Sequence, residues 1–232
     1  MRVFAHRGAS GYAPENTLAA VKKAIELGIT AIEIDVHNVE GELYLFHDRR
    51  LDNKSSGIGL IEEVSQDYLA SVTVDGEPIP KLWDLLLYLQ DSDCLLNIEL
   101  KGMRSLIPLL NLYPKILTEL DFKAEQLLIS SFNHHFIAAV KQQYPQALVA
   151  PLIEGIPEDD AALVSRLNAD SLHLSLSFIT AEIVADAHRQ GAKVYVYTVD
   201  NPQDIQYLMA LGVDGIFSNY PDLSQQVINN YR

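Results

Sequence analysis

Apolar residues recur along this chain in two rhythms, and polar residues interrupt those rhythms at only a few places. The run Ala31-Ile32-Glu33-Ile34-Asp35-Val36 alternates with period two, so as a strand it turns Glu33 and Asp35 to the face opposite Ile32, Ile34 and Val36. Leu95-Leu96-Asn97-Ile98-Glu99-Leu100-Lys101 repeats the device, with Asn97, Glu99 and Lys101 sharing one face. Strands are predicted over residues 3–5, 31–36, 95–101, 127–131, 147–152, 170–175, 193–199 and 213–218, with helical stretches between them. In the first of those stretches Leu18, Val21, Ala24, Ile25 and Leu27 follow the 3.6-residue period; Asn16 or Thr17 is placed to cap it and Gly28 to end it. Residues 80–90 read as another helix with Leu82, Leu85, Leu86 and Leu89 inward.

Eight strands alternating with helices predict a closed (β/α)8 barrel, the TIM-barrel architecture. Residues 43–46 are an extra strand or a bend beside the second strand. Residues 49–80 are polar, carry Gly57, Gly59 and Gly76, and form a small insertion after the second strand with one short helical segment near 65–71. The whole span 1–232 is therefore expected as one barrel domain.

Composition narrows the partners. The chain has 17 lysine and arginine residues against 31 aspartate and glutamate, a formal net charge of −14 that opposes nucleic acid and anionic membrane surfaces. No run reaches the 18 or more apolar residues of a membrane span, and the chain enters a strand at Val3 without a leader pattern, so a cytoplasmic protein without stable membrane association is expected. The single cysteine, Cys94, excludes an internal disulfide and reads as core.

The same sign of charge changes the reading of the acidic strands, because a phosphate ester approaches three clustered carboxylates only if a cation stands between them. Glu33, Asp35 and Glu99 offer oxygen alone, which suits a hard divalent ion, Mg²⁺ or Ca²⁺, with Mn²⁺ also compatible. The bland alternative is a structural salt bridge from Glu33 or Glu99 to Lys101. His6 and His47 each stand at a strand end next to a charged residue, and imidazole exchanges protons near neutrality, so the two form a candidate acid and base pair. Arg7 offers a planar fork to phosphate oxygens and Lys101 a point charge; Arg7 also has Glu15 as a candidate ion-pair partner. His37 is a weaker third candidate, whereas His134, His135, His173 and His188 read as structural.

His6-Arg7-Gly8, Pro14-Glu15-Asn16-Thr17, Glu33-x-Asp35, His47-Asp48 and Glu99-x-Lys101 together resemble the glycerophosphodiester phosphodiesterase family, and the likeness continues through Ile79-Pro80-x-Leu82, Tyr197-Thr198-Val199-Asp200 and Asp214-Gly215-Ile216. The resemblance implies metal-dependent cleavage of a small-molecule glycerophosphodiester to an alcohol and sn-glycerol 3-phosphate. It also implies metal ligation by Glu33, Asp35 and Glu99 and catalysis by His6 and His47. Tyr197 stands where the family usually has tryptophan, and Asn219 where aspartate is common; Asn53, Ser55 and Ser56 replace an arginine and threonines. Tyr197 is a candidate substrate contact, with Tyr12, Phe132 and Phe217 as further candidates for an apolar wall. A lysophospholipase D-like enzyme is the rival reading. It requires an exposed apolar rim, of which the insertion offers little. A non-catalytic barrel binding a metal or phosphorylated ligand is a third, disfavoured because binding alone needs neither histidine.

Overall fold

The computed structural model describes residues 1–231. β1 (Arg2–Ala5), α1 (Leu18–Glu26) and β2 (Ala31–Val39) form the first unit, and β3 (Glu42–Leu45) turns back antiparallel on β2. The stretch that follows holds 3₁₀ turns at Leu51–Asn53 and Ile61–Glu63, the short helix α2 (Gln66–Leu69) and a hairpin of β4 (Thr73–Val74) with β5 (Glu77–Pro78). After α3 (Leu82–Leu89) the alternation is regular: β6 (Leu95–Leu100), α4 (Leu106–Glu119), β7 (Leu127–Ser131), α5 (His134–Gln143), β8 (Leu148–Ile153), α6 (Leu163–Leu167) and β9 (Ser171–Ser175). The chain finishes with α7 (Ala181–Arg189), β10 (Lys193–Tyr197), α8 (Pro202–Ala210), β11 (Gly215–Ser218) and α9 (Pro221–Asn230).

β1, β2 and β6 to β11 pair in parallel around a ring that β1 closes, against β11 on one side and through Ala5 to Ile32 of β2 on the other. This is the (β/α)8 barrel that the alternation predicts. Strand pleat divides its core in two. Ile32, Ile34, Leu96 and Ile98 point outward beneath Val21, Leu82, Leu85 and other buried helix residues, while Phe4, Ala31, Leu128, Ala150, Tyr195 and Phe217 fill the barrel centre. Parallel register then sets Glu33 beside Asn97 and Asp35 beside Glu99. The inward carboxylates of two strands distant in sequence become neighbours for that reason.

Local details depart from the pattern in ways that follow from tertiary pairing. β2 runs past Val36 to Val39 because β3 supplies a partner, so the segment left open as strand or bend is a strand. β10 stops at Tyr197, and Thr198 to Asp200 belong to the loop. The insertion, expected to hold one helical segment, has more structure, and its Leu51, Ile61, Leu69 and Val72 share a small apolar cluster with Val39, Tyr44 and Phe46 that precede it. Its Glu62 accepts from the backbone N–H of Arg104, which ties the insertion to the loop after β6.

Candidate active site

The site is assembled from the C-terminal ends of the strands, the end of such barrels where catalytic side chains gather. Glu33, Asp35 and Glu99 are buried there, each with a carboxylate oxygen within 4.8 Å of the others. Burial, followed by Asp35 and Glu99, pushes the Glu33 carboxyl well above its usual range. Glu99 rises to about 7 for the same reasons, burial first and then Asp35. Burial would lift Asp35 too, but Lys101 and Arg7 hold it below the ordinary value. Three buried carboxylates with two of them resisting ionisation are short of positive charge, and a hard cation on their oxygens supplies it; the donor set therefore fits a divalent ion.

The protein's own cations flank this triad. Arg7 Nη1 donates to Glu15 at 2.9 Å, and its Nε lies 3.2 Å from Asp35 without hydrogen-bond geometry. The Arg7–Glu15 pair expected from the sequence is thus present. Lys101 Nζ sits 2.7 Å from Glu99 and 3.6 Å from Asp35. The salt bridge and the acidic cluster coexist. Arg7 adopts φ 57° and Gly8 φ 78°, a turn in which the Arg7 N–H donates to Glu33 Oε2 at 2.8 Å. A side chain at Gly8 would run into Ala20 of α1, so only glycine fits.

Thr17, not Asn16, caps α1, its Oγ1 accepting from the Ala20 N–H. Asn16 instead grips Asp35: its Nδ2 donates to Oδ2 at 2.9 Å and its Oδ1 accepts the Asp35 N–H at 3.0 Å. The Pro14-Glu15-Asn16-Thr17 turn is accordingly one device with three outputs, holding Arg7, Asp35 and the helix start.

His6 and His47 both line a cavity of about 370 Å³ that also takes in Arg7, Glu33, Glu99 and Lys101. Their supports differ. His6 Nδ1 faces Asn219 Oδ1 at 2.8 Å, and that amide is oriented by donating to Asp200 at 2.7 Å while Ser10 Oγ donates to its oxygen. An amide oxygen can only accept, so His6 carries its proton on Nδ1 and presents an unprotonated Nε2. Burial, then the Arg7 charge, pulls the His6 pKa down to about 4. His47 Nδ1 rests instead on the Asp48 carboxylate at 2.7 Å. His37 is buried outside the cavity lining and pairs through Nε2 with the His47 backbone oxygen at 3.2 Å, so it supports the site from behind.

The opposite wall is Phe132, Leu152, Tyr197 and Phe217. Tyr197 and the two phenylalanines thus meet the expectation of an apolar lining, with the Tyr197 hydroxyl tied to Ile153 O at 3.0 Å. Tyr12 does not: it bonds Asp222 outside. Ser131 and Asp200, also at strand ends, are taken up by Leu100 O and by Ser218 with Asn219. Asn53, Ser55 and Ser56 line a separate surface cavity. His134 caps Leu152 O and His188 pairs with Asp214, structural roles as expected; His173 and Asn97, both buried, stand in the wall of the cavity that holds His6 and His47. Their inward direction follows from the strand period, although nothing in the sequence singles them out from other inward polar residues.

The model of the glycerophosphoryl diester phosphodiesterase family matches residues 6–223. The chain belongs to that family. A glycerophosphodiester phosphodiesterase of Caldanaerobacter subterraneus is 33% identical over 95% of this chain and 94% of its own length, and one from Bacillus altitudinis 30% over 97% of each. Among solved structures, an Oleispira antarctica phosphodiesterase in complex with the product sn-glycerol-3-phosphate superposes with a TM-score of 0.91 at 30% identity, covering 99% of this chain and 97% of that one. The family's matched span contains both histidines, all three carboxylates, Arg7 and Lys101. The departure at Asn219 falls on the partner of His6, so it replaces a charged support by a neutral one.

Proposed function

We propose that the protein is a metal-dependent glycerophosphodiester phosphodiesterase that releases an alcohol and leaves sn-glycerol 3-phosphate. The observation that carries this reading is the convergence in one cavity of His6, His47, Arg7 and Lys101 with the Glu33 and Glu99 carboxylates. The product bound to the Oleispira relative supports the same substrate class.

Glu33, Asp35 and Glu99 would hold the cation, Mg²⁺, Ca²⁺ or Mn²⁺ by donor type. When bound it supplies Lewis-acid polarisation of oxygen ligands and offsets negative charge. Arg7 and Lys101 face the remaining phosphoryl oxygens and stabilise the charge that grows on them. The glycerol arm carries a hydroxyl next to the ester oxygen, and its intramolecular attack on phosphorus gains a large effective molarity over free water. His6, neutral with a free Nε2, accepts that hydroxyl proton. The new P–O bond closes a cyclic phosphate as the bond to the departing alcohol breaks. His47, whose Nδ1–H leans on Asp48, protonates the leaving oxygen. Water then opens the ring: His47 takes its proton, and His6 returns its own to the glycerol oxygen.

A second reading, a lysophospholipase D-like enzyme, draws on a groove of about 580 Å³ that shares Glu99, Lys101 and Phe132 with the catalytic cavity. Met103, 74% exposed, and Phe132 border it, so the apolar rim lies between the loops after β6 and β7 and not on the insertion. Turnover of glycerophosphocholine and of lysophosphatidylcholine, each after chelation and readdition of Mg²⁺, Ca²⁺ or Mn²⁺, tests both readings. Glycerophosphocholine is expected to turn over with metal and to stall without it; metal-independent turnover or none overturns the proposal.

A further inference from the structure

Glu62 belongs to the insertion and takes no part in the chemistry above, yet the bonds of its carboxylate leave the insertion. Its side chain is 17% exposed, and among the described residues it has no lysine or arginine partner. Oε1 accepts the Arg104 N–H at 3.3 Å and Oε2 the Met103 N–H at 3.5 Å, both in the loop after β6. The Arg104 guanidinium donates instead to the Glu62 backbone oxygen, 3.2 Å from Nη1. His37 Nδ1 lies 3.9 Å from Oε1, but the neutral ring uses its one proton on Nε2 toward the His47 backbone oxygen and has none to give. Two successive N–H groups turned to one carboxylate form a small anion cradle, and a charged acceptor strengthens each bond. Gly102 permits the approach: it adopts φ 65°, and a side chain there would run into the Glu62 carboxylate. Ile61, fully buried, already anchors the insertion through its apolar cluster, so the carboxylate serves the barrel loop.

That loop begins at Lys101. The Lys101 N–H donates to Val36 O at 3.0 Å, which fixes the residue on its β2 side, and the ammonium lies 2.7 Å from Glu99 Oε1 and 5.7 Å from the centre of the Phe132 ring. On its other side comes Gly102, whose wide conformational range leaves the loop free to drift unless the next residues are held. The bonds from Met103 and Arg104 to Glu62 hold them. The turn that carries Glu62 is itself tied to the segment following His47: the Ile61 N–H donates to Arg49 O at 3.1 Å and the Leu51 N–H to Gly59 O at 2.9 Å. Glu62 thus spans the two loops that bring Lys101 and His47 to the cavity. We propose that Glu62 is a positioning residue for Lys101: it clamps the loop after β6 to the His47 segment and so sets where the ammonium stands against the phosphate. This rests on the phosphodiesterase reading and deepens it by giving the insertion a part in the reaction.

The test is a double-mutant cycle on kcat/KM for glycerophosphocholine, with Glu62→Ala, Lys101→Met and the two combined. Glu62→Ala is expected to lower kcat/KM by about tenfold or more, since a shift of about 1 Å in a positioned group costs up to about 100-fold. In the Lys101→Met background the same change is expected to cost less than about twofold, because the ammonium that Glu62 positions is gone. A merely structural role predicts equal costs in both backgrounds, and that additivity overturns the proposal. Undiminished kcat/KM in Glu62→Ala, or in Lys101→Met alone, overturns it as well. If Glu62→Ala fails to melt cooperatively, Glu62→Gln takes its place: it keeps the volume and one acceptor oxygen, and is expected to cost about threefold with Lys101 present and nothing without it. Absence of glycerophosphocholine turnover in the wild type would instead strike the functional reading. The same cycle on calorimetric binding of inorganic phosphate to metal-loaded protein then decides whether Glu62 acts through Lys101.

Discussion

The barrel divides into two arcs of opposite character. β1, β2 and β6 are adjacent in the ring and bring His6, Arg7, Glu33, Glu99 and Lys101 to the cavity, with Asp35 buried beside Glu33 and Glu99; β8 to β11 face them with Leu152, Tyr197 and Phe217. The first arc is charge held under strain, with Glu33 and Glu99 resisting ionisation and Arg7 in a left-handed turn. The second is ordinary packing that shapes the cavity. The difference teaches that this fold places its electrostatic cost in one sector, where the proposed cation and phosphate would offset it, and leaves the stabilising burial to the rest.

Breaking the charged arc should have the largest effect. The double substitution Glu33→Gln with Glu99→Gln is expected to lower turnover by roughly 1,000-fold or more, at or beyond the scale of losing one strong electrostatic contact. It should also abolish the rise in Tm on adding metal to chelated protein. Retained affinity and turnover would show that the cation site lies elsewhere. Next come His6→Ala and His47→Ala, each expected to lower kcat by roughly 100-fold or more while the metal-induced Tm shift survives. If either variant kept near wild-type turnover, that imidazole would have no part in proton transfer.

A smaller effect sharpens the claim that the charged arc is strained. Glu99 has a folded pKa raised to about 7, above an unfolded value near ~4.3, so its protonated form stabilises the metal-free protein below the unfolded value and that contribution is lost as pH rises through about 7. Glu99→Gln should therefore raise the Tm of chelated protein at pH 8 relative to wild type, and the gain should shrink toward pH 5. A Tm that falls at pH 8 would mean that the bond to Lys101 outweighs the burial. The smallest effect belongs to the apolar arc: Tyr197→Phe loses one hydrogen bond to Ile153 O and keeps the ring, and should change KM less than about tenfold with kcat nearly unaltered. A large loss of kcat would move Tyr197 from wall to chemistry.

The unequal legibility of the two arcs has a physical basis. Glu33, Asp35 and Glu99 could be read because a carboxylate in a period-two apolar run declares its face by itself. The inward turn of Asn97 follows equally from that period, but its unpaired Oδ1 depends on which atoms β7 to β9 bring opposite, and a histidine among strand residues, such as His173, signals no more than burial. Asp48 is next to His47 in the chain, whereas Asn219 reaches His6 across a separation of 213 residues that only barrel closure bridges. Asn16 reads as a helix cap on local grounds; its grip on Asp35 needs the loop to fold over the second strand.

Sequence by itself determined the alternation of strands and helices, the inward direction of the acids and the candidate proton carriers, because strand and helix periods are local properties of the backbone. Tertiary structure alone decided which supports stand behind each histidine, which buried polar atoms are left unpaired, and which loops form the apolar rim. Those depend on register and ring closure, in which a shift of one residue would turn every inward side chain outward.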